Sequence, residues 1–181
     1  MGNFKKLKRQ QGFSMVELML VFAVILGLAA MVFYVYPSVV ESRLAKEEQT
    51  NLTALQAGVK SVYQGRANYA TLTSTILLNG QVVPSNMVSG TDVINRWREI
   101  VTIGPVTLGG GSANNGFSFT YTGVSQAACV KMAVSLGANF DVININAVDA
   151  KVLGTLDTDE AIATTQCAAG GAANTMVFSS R

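Results

Sequence analysis

The feature that most constrains this chain is a run of nineteen uncharged residues, Leu18 to Tyr36, with one carboxylate, Glu17, at its entrance. At about 1.5 Å per residue such a run makes a helix of about 28 Å, close to the thickness of a bilayer hydrocarbon core. A span of this length needs lipid or other apolar chains around it; the competing reading is a core helix buried in a soluble protein. Lys5, Lys6, Lys8 and Arg9 precede the run, whereas Glu41, Arg43, Lys46, Glu47 and Glu48 beyond it are mixed in sign. The excess of cations on one side predicts residues 1–12 in the cytoplasm and everything after Tyr36 across the membrane.

An ordinary cleaved secretory signal fits poorly. Its apolar stretch is about 7–15 residues long and ends at small residues, whereas Ala29-Ala30 here is followed by Met31, Val32, Phe33 and Tyr34. No cysteine stands near the end of the run to receive a lipid. Glu17 is the anomaly, because a carboxylate at the centre of a span costs about 2.5–3.5 kcal/mol and less near an end. Spacing suggests a partner. If the chain is cut between Gly12 and Phe13, the new α-amino group is cationic near neutral pH and stands in an i to i+4 relation to Glu17. The same two charges can also meet between axially staggered copies, which would give an assembly its register.

The stretch Gly12-Phe13-Ser14-Met15-Val16-Glu17, between a short basic leader and an uncharged run, resembles the prepilin signal of type IV pilins and pseudopilins. The resemblance implies cleavage by a prepilin peptidase after Gly12, N-methylation of Phe13, and a role for Glu17 in filament assembly. It further implies a homopolymer served by an assembly ATPase, an inner-membrane platform and an outer-membrane secretin. The subunit would wait in the inner membrane, head in the periplasm, before joining an extracellular pilus. Removing the leader also changes the charge. The full chain is +2 and the leader carries +4, so the chain from Phe13 onward is −2, and the apparent basicity is a topology signal that gives no reason to expect direct nucleic-acid binding.

Beyond the span, Ser38 to Tyr63 has helix-forming composition. Leu44, Leu52, Leu55, Val59 and Val62 are spaced for one apolar stripe, and Glu41, Arg43, Lys46, Glu47 and Glu48 are available for the exposed face. The expectation is one long helix, kinked or loosened near Pro37 with Gly27 as a second weak point. In the resembled family, glycine and proline in this part of the helix can mark a segment that melts on filament entry.

The remaining residues, 64–181, suffice for one modest core. Short β-like runs are expected at Gln81 to Val83, Ile100 to Val106, Gly116 to Tyr121 and Thr175 to Ser179, with a short helix from Gln126 to Leu136 stopped by Gly137. Helix first and strands later predicts an α+β fold, an antiparallel sheet packed on the second half of the long helix. The expected divisions are a removed leader (1–12), an apolar helix (13–37), its amphipathic continuation (38–63) and a globular head (64–181).

Cys129 and Cys167 both fall in the exported portion, where an oxidising compartment favours their pairing over two free thiols. The C-terminal half, with Cys129-Val130-Lys131-Met132, Phe140 to Asn146, Cys167 and Asn174 to Phe178, resembles the disulfide-bounded region of type IVb pilins, including those of enteric adhesion and conjugation pili. Trp97 before Ile103 to Thr107 is similar to a tryptophan-glycine segment of that group, with Arg98-Glu99 where glycines are expected. The 12-residue leader and Phe13 are closer to type IVa usage.

Little in the chain suggests an enzyme. It has no histidine, and no nucleophile–base pair stands out. Two cysteines alone make neither a zinc site nor a CxxC centre, and no cofactor is expected. Gly109-Gly110-Gly111 lacks the Lys-Ser/Thr of a phosphate loop and reads as a surface turn. Asp157, Asp159 and Glu160 read as an acidic turn, with calcium binding as the alternative. Three function classes remain: a pilus subunit, a pseudopilin of a secretion apparatus, and a membrane-tethered binding module or enzyme in which Glu17 would be dispensable.

Overall fold

The computed structural model describes residues 13–181, so the leader and Gly12 lie outside the described residues. Helix α1 runs from Met15 to Val62. The chain divides into two compact units between Pro37 and Ser38. The described residues of the first unit are Phe13, Ser14 and the apolar part of α1.

The second unit begins with the amphipathic part of α1, whose buried residues are Ala45, Glu48, Asn51, Leu52, Leu55, Gln56 and Val59. The apolar members recur at the three-to-four-residue intervals of one helix face. Leu44 and Val62 are half-buried, Val62 packing against the core, and one expectation is corrected: Glu48, assigned by its charge to the exposed face, is fully buried.

After α1 come α2 (Ser74–Asn79), a 3-10 turn (Ser85–Met87) and a small hairpin, β1 (Val88–Ser89) with β2 (Asp92–Val93). The strand expected at Gln81 to Val83 is absent. Thr73 caps α2 by accepting the N–H of Ile76, Leu77 buries itself fully, and Gln81 turns back at φ +53° so that the Val82 N–H reaches the Leu77 carbonyl. This turn packs against α1 at Gly58, where a Cβ would lie 2.9 Å from both Val82 Cβ and the Val82 carbonyl oxygen. Glycine in mid-helix lowers helix propensity, and here the close approach of a second segment requires it.

The main sheet has five antiparallel strands in the order β3-β4-β7-β5-β6: β3 (Thr102–Val106), β4 (Gly116–Val124), β5 (Val142–Ile145), β6 (Val148–Lys151) and β7 (Asn174–Ser180). The C-terminal strand β7 is central, hydrogen-bonded to β4 and β5. Alternation in β4 sends Phe117, Phe119 and Tyr121 into the core, opposite the Met176 and Phe178 of β7 in the registers Phe119↔Phe178 and Tyr121↔Met176. These rings continue through Phe140, Tyr69 and Tyr63 as an aromatic cluster with centroids 5.0–6.2 Å apart. They share one core with the α1 side chains, the sheet-on-helix α+β arrangement expected.

Helix α3 (Gln126–Ser135) ends one residue earlier than expected, with Leu136 as its C-cap. Its buried side is Ala128, Cys129, Met132 and Ala133, while Ala127 and Val134 are exposed. Gly137 follows because a Cβ there would lie 2.8 Å from the Thr158 hydroxyl. Helix α4 (Glu160–Gly170) was not anticipated. Its cap is Asp159, whose Oδ1 accepts the N–H groups of Ala161 and Ile162 at 2.9 and 3.0 Å. The acidic cluster thus supplies a helix cap, and among the described residues no group of three or more His, Cys, Asp or Glu could hold a metal ion.

Candidate functional site

In the first unit, Phe13 and Ser14 precede the helix, and the Ser14 carbonyl accepts the Leu18 N–H at 3.1 Å. Glu17 stands in the first helical turn, where unpaired N–H groups and the helix dipole favour a carboxylate. Every residue from Phe13 to Tyr36 is exposed except the half-buried Ala29. Phe13 is 84% and Tyr34 87% accessible. Burial of each large apolar side chain is worth about 1.5–3 kcal/mol, so a surface of this kind is completed by lipid or by other chains. A side chain at Gly27 would meet nothing within 4 Å, so the chain's own packing does not require glycine there. Pro37 lies inside α1 and has no N–H for the carbonyl of residue 33.

In the second unit, Cys129 and Cys167 form a disulfide, Cα–Cα 5.8 Å, that ties α3 to α4 across 38 positions. Both sulfur-bearing residues are fully buried. The bonded pair rules out the free thiols and leaves no cysteine for redox or metal chemistry.

A buried polar cluster was missed by reading charge before spacing. Glu48 lies three residues after Ala45 and four before Leu52, on the apolar stripe itself, and that interval is the signal that could have found it. Glu48 Oε1 accepts the backbone N–H of Arg96 at 2.7 Å. The Tyr121 hydroxyl and the Asn51 amide neighbour the carboxyl, but Glu48 Oε2, Asn51 Nδ2 and Tyr121 Oη form no hydrogen bond of good geometry. The Arg96 guanidinium is engaged elsewhere, with Glu47 at 2.8 Å. Burial pushes the Glu48 carboxyl up to about 7, against a smaller downward pull from the Arg96 N–H, the Tyr121 hydroxyl, the Arg96 charge and Asn51. Burial, and then the Glu48 charge, push the Tyr121 phenol well above its usual value.

The segment that meets Glu48 is itself pinned. Asn95 Oδ1 accepts the N–H groups of Trp97 and Glu99, each at 3.0 Å, and its Nδ2 donates to the Thr122 carbonyl at 2.8 Å. Arg98, at the position where the resembled segment has glycine, has φ +67°, the left-handed conformation glycine adopts freely.

A helix bearing a membrane-length apolar half, an antiparallel sheet packed on its amphipathic half and a disulfide closing the C-terminal region together define a type IV pilin. The family described as PilS N terminal matches residues 42–181, most of the chain, and the protein belongs to that family. The major structural subunit of bundle-forming pilus from Escherichia coli O127:H6 (strain E2348/69 / EPEC) is 28% identical over 146 residues, covering 77% of this chain and 72% of that protein. The crystal structure of the type IV b pilin from Salmonella typhi superposes with a TM-score of 0.56 at 25% identity, over 74% of this chain and 97% of that one. TcpA, a type IV pilin from Vibrio cholerae El Tor biotype, shares the fold with a TM-score of 0.60 at 17% identity, over 77% and 99% of the two chains. The family match begins at residue 42, so it rests on the amphipathic part of α1 and the head and not on the residues around Gly12.

Proposed function

We propose that this chain is a structural subunit of a type IV pilus, polymerised through its N-terminal helix into an extracellular filament. The observation that carries the reading is the pairing of a PilS-family head with an apolar helix whose described side chains are exposed almost throughout. Such a helix is stable in a bilayer before assembly and among copies of itself afterwards. In the proposed course, residues 1–12 are removed by a prepilin peptidase, 13–37 pass from the inner membrane to the filament core, 38–63 carry the head, and 64–181 form the outer surface. The new α-amino group of Phe13, methylated by the same enzyme, neutralises Glu17 within the subunit or on a neighbour. An assembly ATPase, an inner-membrane platform and an outer-membrane secretin complete the export route. Loosening of α1 near Gly27 and Pro37 belongs to the same step. The bundle-forming relatives favour aggregation or adhesion as the filament's task, and the role is structural, with no catalysis.

Mass spectrometry of fibres sheared from cells tests this reading. The expected species begins at methylated Phe13 and lacks two hydrogens for the Cys129–Cys167 bond. Abundant fibre protein beginning at Met1 contradicts the processing step, and recovery only as a short periplasmic assembly assigns the chain to the pseudopilins.

A further inference from the structure

The filament reading makes no use of the carboxyl at Glu48, which is fully buried where three elements meet. The carboxyl comes from α1, the Arg96 N–H from the segment between β2 and β3, and the Tyr121 hydroxyl from β4. Asn51, one helical turn on, faces the same carboxyl with Nδ2 and accepts the Asn86 side-chain N–H at 3.0 Å, bringing in the 3-10 turn. The titratable and charged groups that bear on Glu48 are Tyr121 and Arg96, and the Arg96 guanidinium is already paired with Glu47.

We propose that Glu48 is a proton-operated fastener that holds the Asn95–Glu99 segment and strand β4 on helix α1 when its carboxyl is neutral and loosens them when it ionises. The neutral acid suits the site. Its Oε1 accepts from Arg96, and it places no charge in the enclosed site. The carboxylate keeps the Arg96 bond and is eased by the neighbouring Tyr121 hydroxyl, but these do not offset a full charge in a fully buried site with no cationic side chain bonded to it. Because an exported head takes the pH of its surroundings, the fastening follows the medium. The inference does not depend on polymerisation.

Amide hydrogen exchange of the full chain in detergent, corrected for the intrinsic pH dependence of exchange, tests it between pH 5 and 8.5. With the carboxyl near 7 when closed and near 4.5 when open, the opening constant at the Arg96 amide should rise about tenfold per pH unit between 5 and 7 and level off above. Glu48→Gln should be flat at the low-pH protection of the wild type. Tyr121→Phe removes a group that eases ionisation, so its levelling-off should move to higher pH. A flat wild-type profile, or the wild-type slope retained in Glu48→Gln, overturns the proposal. If Glu48→Gln does not fold, Tyr121→Phe decides, and an unmoved profile there overturns it as well.

Discussion

The two units each carry one glutamate in apolar company, and the contrast between them separates what a subunit owes to its neighbours from what it owes to itself. Glu17 stands on an exposed apolar surface, and no described side chain encloses it. Glu48 is fully enclosed, and every group that acts on it comes from the same chain. The same side chain can therefore fail in two ways, by spoiling assembly while the head stays folded or by altering the head itself.

The largest effect expected is at Glu17. On the proposed assembly role, Glu17→Ala should abolish surface fibres or reduce their yield at least about a hundredfold, because the charge proposed to set the register is gone, while the thermal midpoint of the head is unchanged. Fibre yield by shearing and the melting of the detergent-solubilised chain read the two halves of this statement. Normal yield in this variant would reduce the first unit to a membrane anchor.

Next is the disulfide, which belongs wholly to the second unit. Replacing Cys129 and Cys167 together by alanine should cost about 4 kcal/mol on the chain-entropy account, measured as a shift in denaturation midpoint. The pair joins α3 to α4, so the loss should appear first as exchange in those helices.

Glu48 gives the third. A carboxyl raised from 4.5 unfolded to about 7 folded makes the folded state the stronger proton binder across that window. Its stabilising contribution is complete below about 4.5, declines as pH rises through the window and is gone above 7, a loss on the order of 3 kcal/mol. Glu48→Gln should remove that slope from denaturation curves taken across pH, and Glu17→Gln should leave it in place.

The sequence was legible where periodicity and chemistry agreed. The apolar run, the amphipathic part of α1, β3, β4, β7 and the disulfide all announce themselves through long apolar intervals, β-branched and aromatic alternation, or the presence of just two cysteines. The elements that escaped are those whose burial is small or whose turn chemistry is atypical. Helix α4 buries only Ala163 and Cys167 on a run of Ala, Thr and Gln, so it shows no strong stripe. Strands β5 and β6 are four residues each and are joined by Asn146-Ala147 in place of the Asn-Gly that signals a tight hairpin. Gln81 to Val83 misled because its apolar pair serves a helix-ending turn against Gly58. Glu48 was hidden by its own charge, which sequence reasoning weighs toward solvent. The proposed processing and assembly residues are a different case, since Gly12 lies outside the described residues and no described side chain encloses Glu17.

Gly58→Ala probes the packing of the second unit at a point remote from either glutamate. Alanine gains helix propensity of about 1 kcal/mol over glycine, but its methyl would sit 2.9 Å from the Val82 carbonyl oxygen, a backbone atom that cannot rotate away. Overpacking of this kind costs about 1–3 kcal/mol, so the net effect should be destabilising by about 1 kcal/mol. A stabilised variant would show that the Gln81–Val83 turn gives way readily.

The smallest effect is expected at the β5–β6 hairpin. Asn146 and Ala147 have φ of +50° and +68°, the pattern of a type I′ turn, whose handedness matches the twist of the strands it joins. Asparagine tolerates that conformation, and its side chain is also engaged, accepting the Thr175 N–H and donating to the Gln166 carbonyl and to Asn174 Oδ1. Alanine has no such compensation, and a left-handed L-residue costs about 1–2 kcal/mol. Ala147→Gly removes that cost but adds about 0.5–1 kcal/mol of unfolded-state entropy, leaving a net gain of about 0.5 kcal/mol. Because β5 pairs with the central strand β7, the gain should register as a higher denaturation midpoint of the whole second unit, with fibre yield unchanged. A lower midpoint would mean that the Ala147 methyl contributes packing that outweighs its backbone strain.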